Sequence, residues 1–487
     1  MFLKHYEGLF DHNNPSSALM NRRLRNSVSR GRSVLRAMIA GSEGWHASKG
    51  ISDHADVLIV SHLVNAGFAG QSKDFYFGDL ADKLAINGVK IVIALIDYTG
   101  QNPKGLVSRW DNALVPRVVL ANALSFNAER GLQKDVSEES ARLRRKGMRS
   151  HGLARTVALR AAEEVRGGAC LHAMRIGEQV RRLVAYFKPH SLITTYEGHS
   201  WERIAYARGR QVQPDIHCIG YQHAGLFPHQ HAALRPLSPQ FNPDTILAAG
   251  HVGLDAMRSN LQLADINIDC IGSVRSTLRA SPANNESVRE ACLVVPEGDL
   301  RECGLLFGFS LGCAIQLPAL QFIWRLHPNT RYEELLKKYP KFGKLPANVK
   351  ISSEQLTDDI SRSRWVLYRG STAVIQAVTG GAFPIYVHQE GEVSIDTLYE
   401  LGSLRKICMS ENEFVRFVSE ISEENISAGL AEIQKACERM FVALDAQRLN
   451  EILKVGKSFH GHCGRTVGAN VIDSARGNPV VKADGCR

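Results

Sequence analysis

Asp56-Val57-Leu58-Ile59-Val60-Ser61 and, further on, Lys90-Ile91-Val92-Ile93-Ala94-Leu95-Ile96-Asp97 are short apolar runs rich in β-branched residues, and their reading decides the fold. Apolar runs without polar alternation suit strands covered on both faces. Runs of the same kind recur at Arg117 to Ala121, Ser191 to Tyr196 and His217 to Tyr221, separated by longer stretches with helical spacing. Strand and helix in alternation is the pattern of βα units, which build mostly parallel sheets. Between the third and fourth runs, the charged segment Gln133 to Phe187 places Leu, Ala, Val and Ile at helical intervals and reads as one or two long helices.

Pro236, Pro239 and Pro243 then interrupt the chain among Ser, Asn and Gln, a composition that ends regular structure and predicts a boundary between lobes. Beyond it the alternation restarts at Thr245 to Ala249, Ile268 to Gly272, Ala291 to Val295, Leu320 to Leu326, Val349 to Ser352, Trp365 to Tyr368 and Phe383 to Val387. The expected organisation is α/β, with two doubly wound, Rossmann-like lobes at 1–235 and 244–455 and a flexible tail at 456–487. Ligands of such sheets bind outside the carboxyl ends of the strands, so the expected site is a cleft between the lobes.

Composition narrows the class. A chain of 487 residues exceeds one ordinary hydrophobic core. Hydrophobic residues at 44% and charged residues at 22% argue against disorder and against a membrane bundle. The longest apolar runs are strand-length, too short to span a bilayer, and the N-terminal text lacks a secretory signal pattern, so a cytoplasmic protein is expected. Ten scattered cysteines read as reduced thiols, with neither a zinc site nor a disulfide frame. The net charge of +10 includes basic clusters from Arg22 to Arg36 and from Arg142 to Arg155. These attract anions of several kinds, or simply form solvated helix faces.

Four strand ends carry chemistry-bearing residues. In Tyr196-Glu197-Gly198-His199-Ser200 an acid follows a strand and Gly198 frees the backbone to turn. Glu197 there is placed as a general base, or as an acid at the start of the next helix. Gly220-Tyr221-Gln222-His223-Ala224-Gly225 directs Gln222 and His223 toward the same cleft, as ligand groups or as structural residues. Trp324-Arg325-Leu326-His327-Pro328 delivers Arg325 and His327 to a strand end, where Pro328 holds His327 out of helical geometry. Tyr368-Arg369-Gly370-Ser371-Thr372 leads into an apolar helix, giving either an anion site or a simple hydroxyl cap. Glu297 follows another second-lobe strand, at the same cleft. Neither a Gly-rich dinucleotide fingerprint nor a phosphate loop with Lys is present, which lowers the oxidoreductase and ATPase readings.

In this order, the acid-Gly, His-Pro and Ser-Thr motifs resemble those of bacterial sialyltransferases and related polysialyl and Kdo transferases, over roughly Leu192 to Val387. The text around Glu197 and Gln222 also resembles a broader group of bacterial surface-carbohydrate biosynthesis proteins. Tyr196 stands where the acid-acid-Gly motif has its first acid. The resemblance implies a GT-B-type architecture and a metal-independent glycosyltransferase without a cofactor, with a CMP-linked ulosonic acid as donor and a glycan or lipid-linked glycan as acceptor. Glu197 would be the base, His327 would bind and protonate the CMP phosphate, and Ser371 and Thr372 would grip it. The first lobe would then face the acceptor and the second the nucleotide. A UDP- or GDP-sugar transferase or epimerase, and a non-catalytic carbohydrate binder, remain alternatives. The basic clusters are expected at an anionic inner membrane face, with nucleic acid not expected as a partner.

Overall fold

The computed structural model describes residues 15–38, 43–229, 231–277, 289–328 and 330–460. Eight strands form the first sheet: β1 (Trp45–Ala47), β2 (Val57–Leu63), β3 (Ile91–Asp97), β4 (Arg117–Leu120), β5 (Ser191–Thr195), β6 (His217–Gln222), β7 (Thr245–Ala248) and β8 (Asn267–Cys270). Their order is β1-β4-β3-β2-β5-β6-β7-β8, parallel apart from the edge strand β1. The second sheet holds β9 (Ala291–Val295), β10 (Gln321–Trp324), β11 (Val349–Ile351), β12 (Ser363–Tyr368), β13 (Phe383–Val387) and β14 (Lys406–Cys408). Its order is β11-β10-β9-β12-β13-β14 and it is wholly parallel. Both lobes are therefore doubly wound and Rossmann-like.

Successive side chains of a strand point to opposite faces, so a strand buried on both sides feeds two cores. In β2, Leu58 and Val60 pack with Val180, Leu183 and Phe187 of the helix Gly168–Phe187. Val57 and Ile59 join Leu80 and Leu84 on the other face. That second face is completed by Leu449, Ile452 and Leu453 of the helix Ala446–His460, which carries the chain back from the second lobe to the first. No helix among the described residues is long and apolar enough to cross a membrane.

The structure moves the predicted lobe boundary. β7 and β8 extend the first sheet beyond β6, so residues 245–270 belong to the first lobe, and the second sheet begins at β9. The proline-rich stretch lies within one lobe: Arg203 Nη1 donates to Asn242 Oδ1 at 2.8 Å, and Asp244 Oδ2 accepts from the Cys218 backbone at 2.7 Å. Its prolines stiffen a loop inside the lobe. Residues 446–460, part of them assigned to the tail, form the returning helix, and 461–487 lie outside the described residues. The segment read as one or two helices holds three, Phe126–Met148, Gly152–Glu164 and Gly168–Phe187, with breaks at Gly152 (φ +56°) and Gly167.

Candidate active site

Among the parallel strands of each sheet the order reverses once, between β2 and β5 in the first lobe and between β9 and β12 in the second. Crevices open at such reversals beyond the carboxyl ends of the strands. Glu197 follows β5 at the first reversal. Glu297 and the Gly370-Ser371-Thr372 turn follow β9 and β12 at the second.

Gly198 adopts φ +79°, and a Cβ there would overlap the Ala232 carbonyl, so the reversal after Glu197 requires glycine. Glu202, in the first turn of the following helix Ser200–Val212, accepts from the backbone N–H of Glu197 at 3.1 Å and of His199 at 2.8 Å. The backbone of Glu197 is thereby fixed while its carboxylate, 29% exposed, enters the cleft. Gly198→Ala is expected to cost at least about 1–3 kcal/mol. Thermal unfolding checks this, and a midpoint equal to wild type would contradict the turn geometry.

His199 Nε2 lies 2.9 Å from Glu197 Oε2, and His223 Nε2 lies 3.7 Å from Glu197 Oε1. Burial pushes the Glu197 carboxyl up, but the His199 hydrogen bond and the charges of His223, His199 and Arg275 outweigh it and hold the group at about 2. Glu197 is therefore ionised at any physiological pH. Burial pushes His223 down to about 4 and His62 to about 3, so both are neutral there. Aromatic rings wall this side of the cleft. Tyr76 lies over His223 with centroids 4.3 Å apart, and the half-exposed Tyr98 stacks on His62 at 5.5 Å.

Close glycine contacts bring the second-lobe residues together. A Cβ on Gly370 would stand 2.6 Å from the Glu297 carboxyl carbon, and one on Gly298 would stand 2.8 Å from His327 Nδ1. Glu297, His327, Ser371 and Thr372 thus share one crevice. Burial, followed by the charge of Arg275, pushes His327 down to about 4. A neutral His327 offers an N–H to an anion rather than a second proton.

The lobes meet at Thr372. Gly225, in the loop after β6, faces the Thr372 methyl, 3.6 Å from where its Cβ would be. Arg275, in the crossing segment between the lobes, donates from Nη1 to Thr372 Oγ1 at 2.6 Å. Its charge reaches Glu197 and His223 of the first lobe and His327 of the second. Burial lowers the guanidinium pKa, yet arginine keeps its proton in proteins. A half-buried cation thus stands where the two lobes meet.

Three predicted ligand residues are occupied elsewhere. Arg369, 2% exposed, is held by Glu302 at 2.6 Å, by Glu392 and by the Val387 carbonyl at 2.9 Å. Arg325 Nη1 donates to Asp359 at 2.7 Å and to the Glu354 carbonyl at 2.8 Å. Gln222 is buried and donates to the Ala224 carbonyl. Each is built into the scaffold. Pro328 acts only on the backbone, where the His327 carbonyl accepts from Thr330 at 2.8 Å. Arg275, His199, His62 and Tyr76 belong to the site without having been singled out in the sequence. No three His, Cys, Asp or Glu side chains gather as a metal-holding group among the described residues.

No family model matches the chain, and no curated protein matches it. Among solved structures, the glycotransferase of kitacinnamycin is 11% identical with a TM-score of 0.49, covering 83% of this chain and 99% of that one. The α,α-trehalose 6-phosphate synthase of Burkholderia multivorans is 10% identical with a TM-score of 0.47, covering 85% and 100%. A UDP-N-acetylglucosamine 2-epimerase is 12% identical with a TM-score of 0.44, covering 86% and 99%.

Proposed function

We propose that this protein is a glycosyltransferase of GT-B type that holds a nucleotide-activated sugar between its lobes and transfers it to a hydroxyl of a glycan acceptor. One observation carries the reading: the carboxylate of Glu197 at the first strand reversal feels the charge of Arg275, a half-buried guanidinium hydrogen-bonded to Thr372 at the second. Transfer to a hydroxyl needs those two functions, a base for the acceptor proton and positive charge for the departing phosphate.

In the proposed reaction the acceptor oxygen attacks the anomeric carbon while its proton passes to Glu197. The bond from that carbon to the phosphate oxygen breaks, and its electron pair leaves on the nucleotide. Arg275, the His327 N–H and the hydroxyls of Ser371 and Thr372 receive the developing negative charge. Arginine here supplies what a divalent cation supplies in other transferases, so the proposal includes metal independence. Tyr98, Tyr76 and His62 form a ring-lined wall beside Glu197 that suits the apolar face of an acceptor sugar.

The donor is proposed to be a CMP-linked ulosonic acid such as sialic acid or Kdo, and the pathway bacterial surface polysaccharide synthesis. The support is the motif resemblance, with Glu197, His327 and the Ser371-Thr372 pair gathered at the two reversals. Charge-assisted hydrogen bonds are worth about 1.5–3 kcal/mol, so Arg275→Ala is expected to weaken CMP binding by about 10- to 150-fold. Calorimetry of the variant beside wild type checks this. Unchanged affinity would place the phosphate away from Arg275.

A further inference from the structure

Among the described side chains of the helix Pro15–Ala37, Leu24, Val28 and Leu35 are exposed, an unusual place for apolar residues on a surface helix of a globular lobe. Polar side chains of the described part face the lobe. Ser33 Oγ donates to Glu129 Oε2 at 3.1 Å and accepts from Arg175 Nη2 at 2.6 Å, and Arg30 Nη2 donates to Ser137 Oγ at 3.2 Å. Ala37 is the buried apolar residue on that side. Steps of 4 and 7 residues return to nearly the same angle of an α-helix, so Leu24, Val28 and Leu35 lie on one stripe. They point away from the lobe, with Leu24 65%, Leu35 63% and the following Met38 65% exposed.

Charge identifies what this stripe meets. The helix contains six arginines, Arg22, Arg23, Arg25, Arg30, Arg32 and Arg36, and no acid. The neighbouring hairpin of Phe126–Met148 and Gly152–Glu164 adds Arg145, Lys146, Arg149 and Arg155, which carry no ion pair among the described residues. Met148 and Leu153 near its turn are 68% and 74% exposed. Pairing with a second copy through this stripe would set like charges against each other. Nucleic acid would use the arginines and leave exposed leucines without a role. Apolar side chains flanked by arginines fit a bilayer interface, where the leucines enter the acyl boundary and the guanidinium groups meet lipid phosphates.

We infer that the outward face of the helix 15–37, with the adjoining hairpin, is a docking surface for an anionic phospholipid bilayer. The inference stands apart from the reading of the cleft. Its test is flotation of the full-length protein with vesicles of phosphatidylcholine alone and of phosphatidylcholine with phosphatidylglycerol, for wild type and for Leu24→Ser/Leu35→Ser. Wild type is expected to bind the anionic vesicles, more weakly as salt rises. The double variant is expected to lose about tenfold or more in partitioning, since each leucine gives up its apolar burial. Its melting temperature and its CMP affinity stay at the wild-type values, because both side chains are exposed and remote from the cleft. Binding that ignores phosphatidylglycerol, or that survives the substitutions, overturns the proposal. A variant that melts at lower temperature also overturns it, showing the stripe to be covered by the protein itself. So does a protein that ignores both vesicles and retains duplex DNA.

Discussion

Glu197→Gln is expected to lower the rate of donor cleavage by a factor of about 10²–10⁴, the usual contribution of a general base. The amide keeps the size of the carboxylate and an oxygen for His199, and it loses the negative charge and the capacity to take a proton. With Glu197 in the proposed role of acceptor base, CMP affinity should stay close to wild type. A loss in kcat with binding retained is the signature of an interaction made in the transition state. Release of CMP from a CMP-linked ulosonic acid, with water as acceptor, measures the effect before the natural acceptor is known. Turnover within a few fold of wild type would move the base to another residue.

The second large effect is on folding. Arg369→Met is expected to destabilise the protein by about 3–5 kcal/mol, because it leaves the carboxylates it binds uncompensated. Glu302 is 1% exposed and has no water to turn to, whereas Glu392 is partly exposed and loses less. The urea midpoint reads the loss. A ligand role for Arg369 would instead leave a folded protein of normal stability with weakened nucleotide binding. Arg369 thus separates a structural from a ligand role in one experiment.

That contrast shows what sequence patterns carry. Buried parallel strands are legible because both faces must be apolar, which is why Val57 to Val60, Ile91 to Ile96 and Ala291 to Val295 stand out. Sheet membership is not local, so the text around Thr245 to Ala249 does not reveal that β7 pairs with β6, and the prolines before it suggested a boundary. At the site, the strand-end glycines were informative because close approach leaves no room for a Cβ. Gly198 beside Ala232, Gly298 beside His327 and Gly370 beside Glu297 all show this. The arginines misled for the converse reason. The carboxylate that neutralises Arg325 lies 34 residues away, and those that neutralise Arg369 lie 67 and 23 residues away, where no local motif announces them. Arg275 was missed because Ser273-Val274-Arg275-Ser276 reads as ordinary linker text. Its place comes from two lobes meeting around it, as its bond to Thr372, 97 residues away, makes plain.

Calorimetric titration of the wild-type protein with CMP, UMP and GMP tests the central claim most directly. CMP is predicted to bind, and to bind more tightly than UMP or GMP. Preference for UMP or GMP would contradict the CMP-linked donor and leave another sugar-nucleotide enzyme, and failure of all three to bind would contradict the glycosyltransferase reading itself.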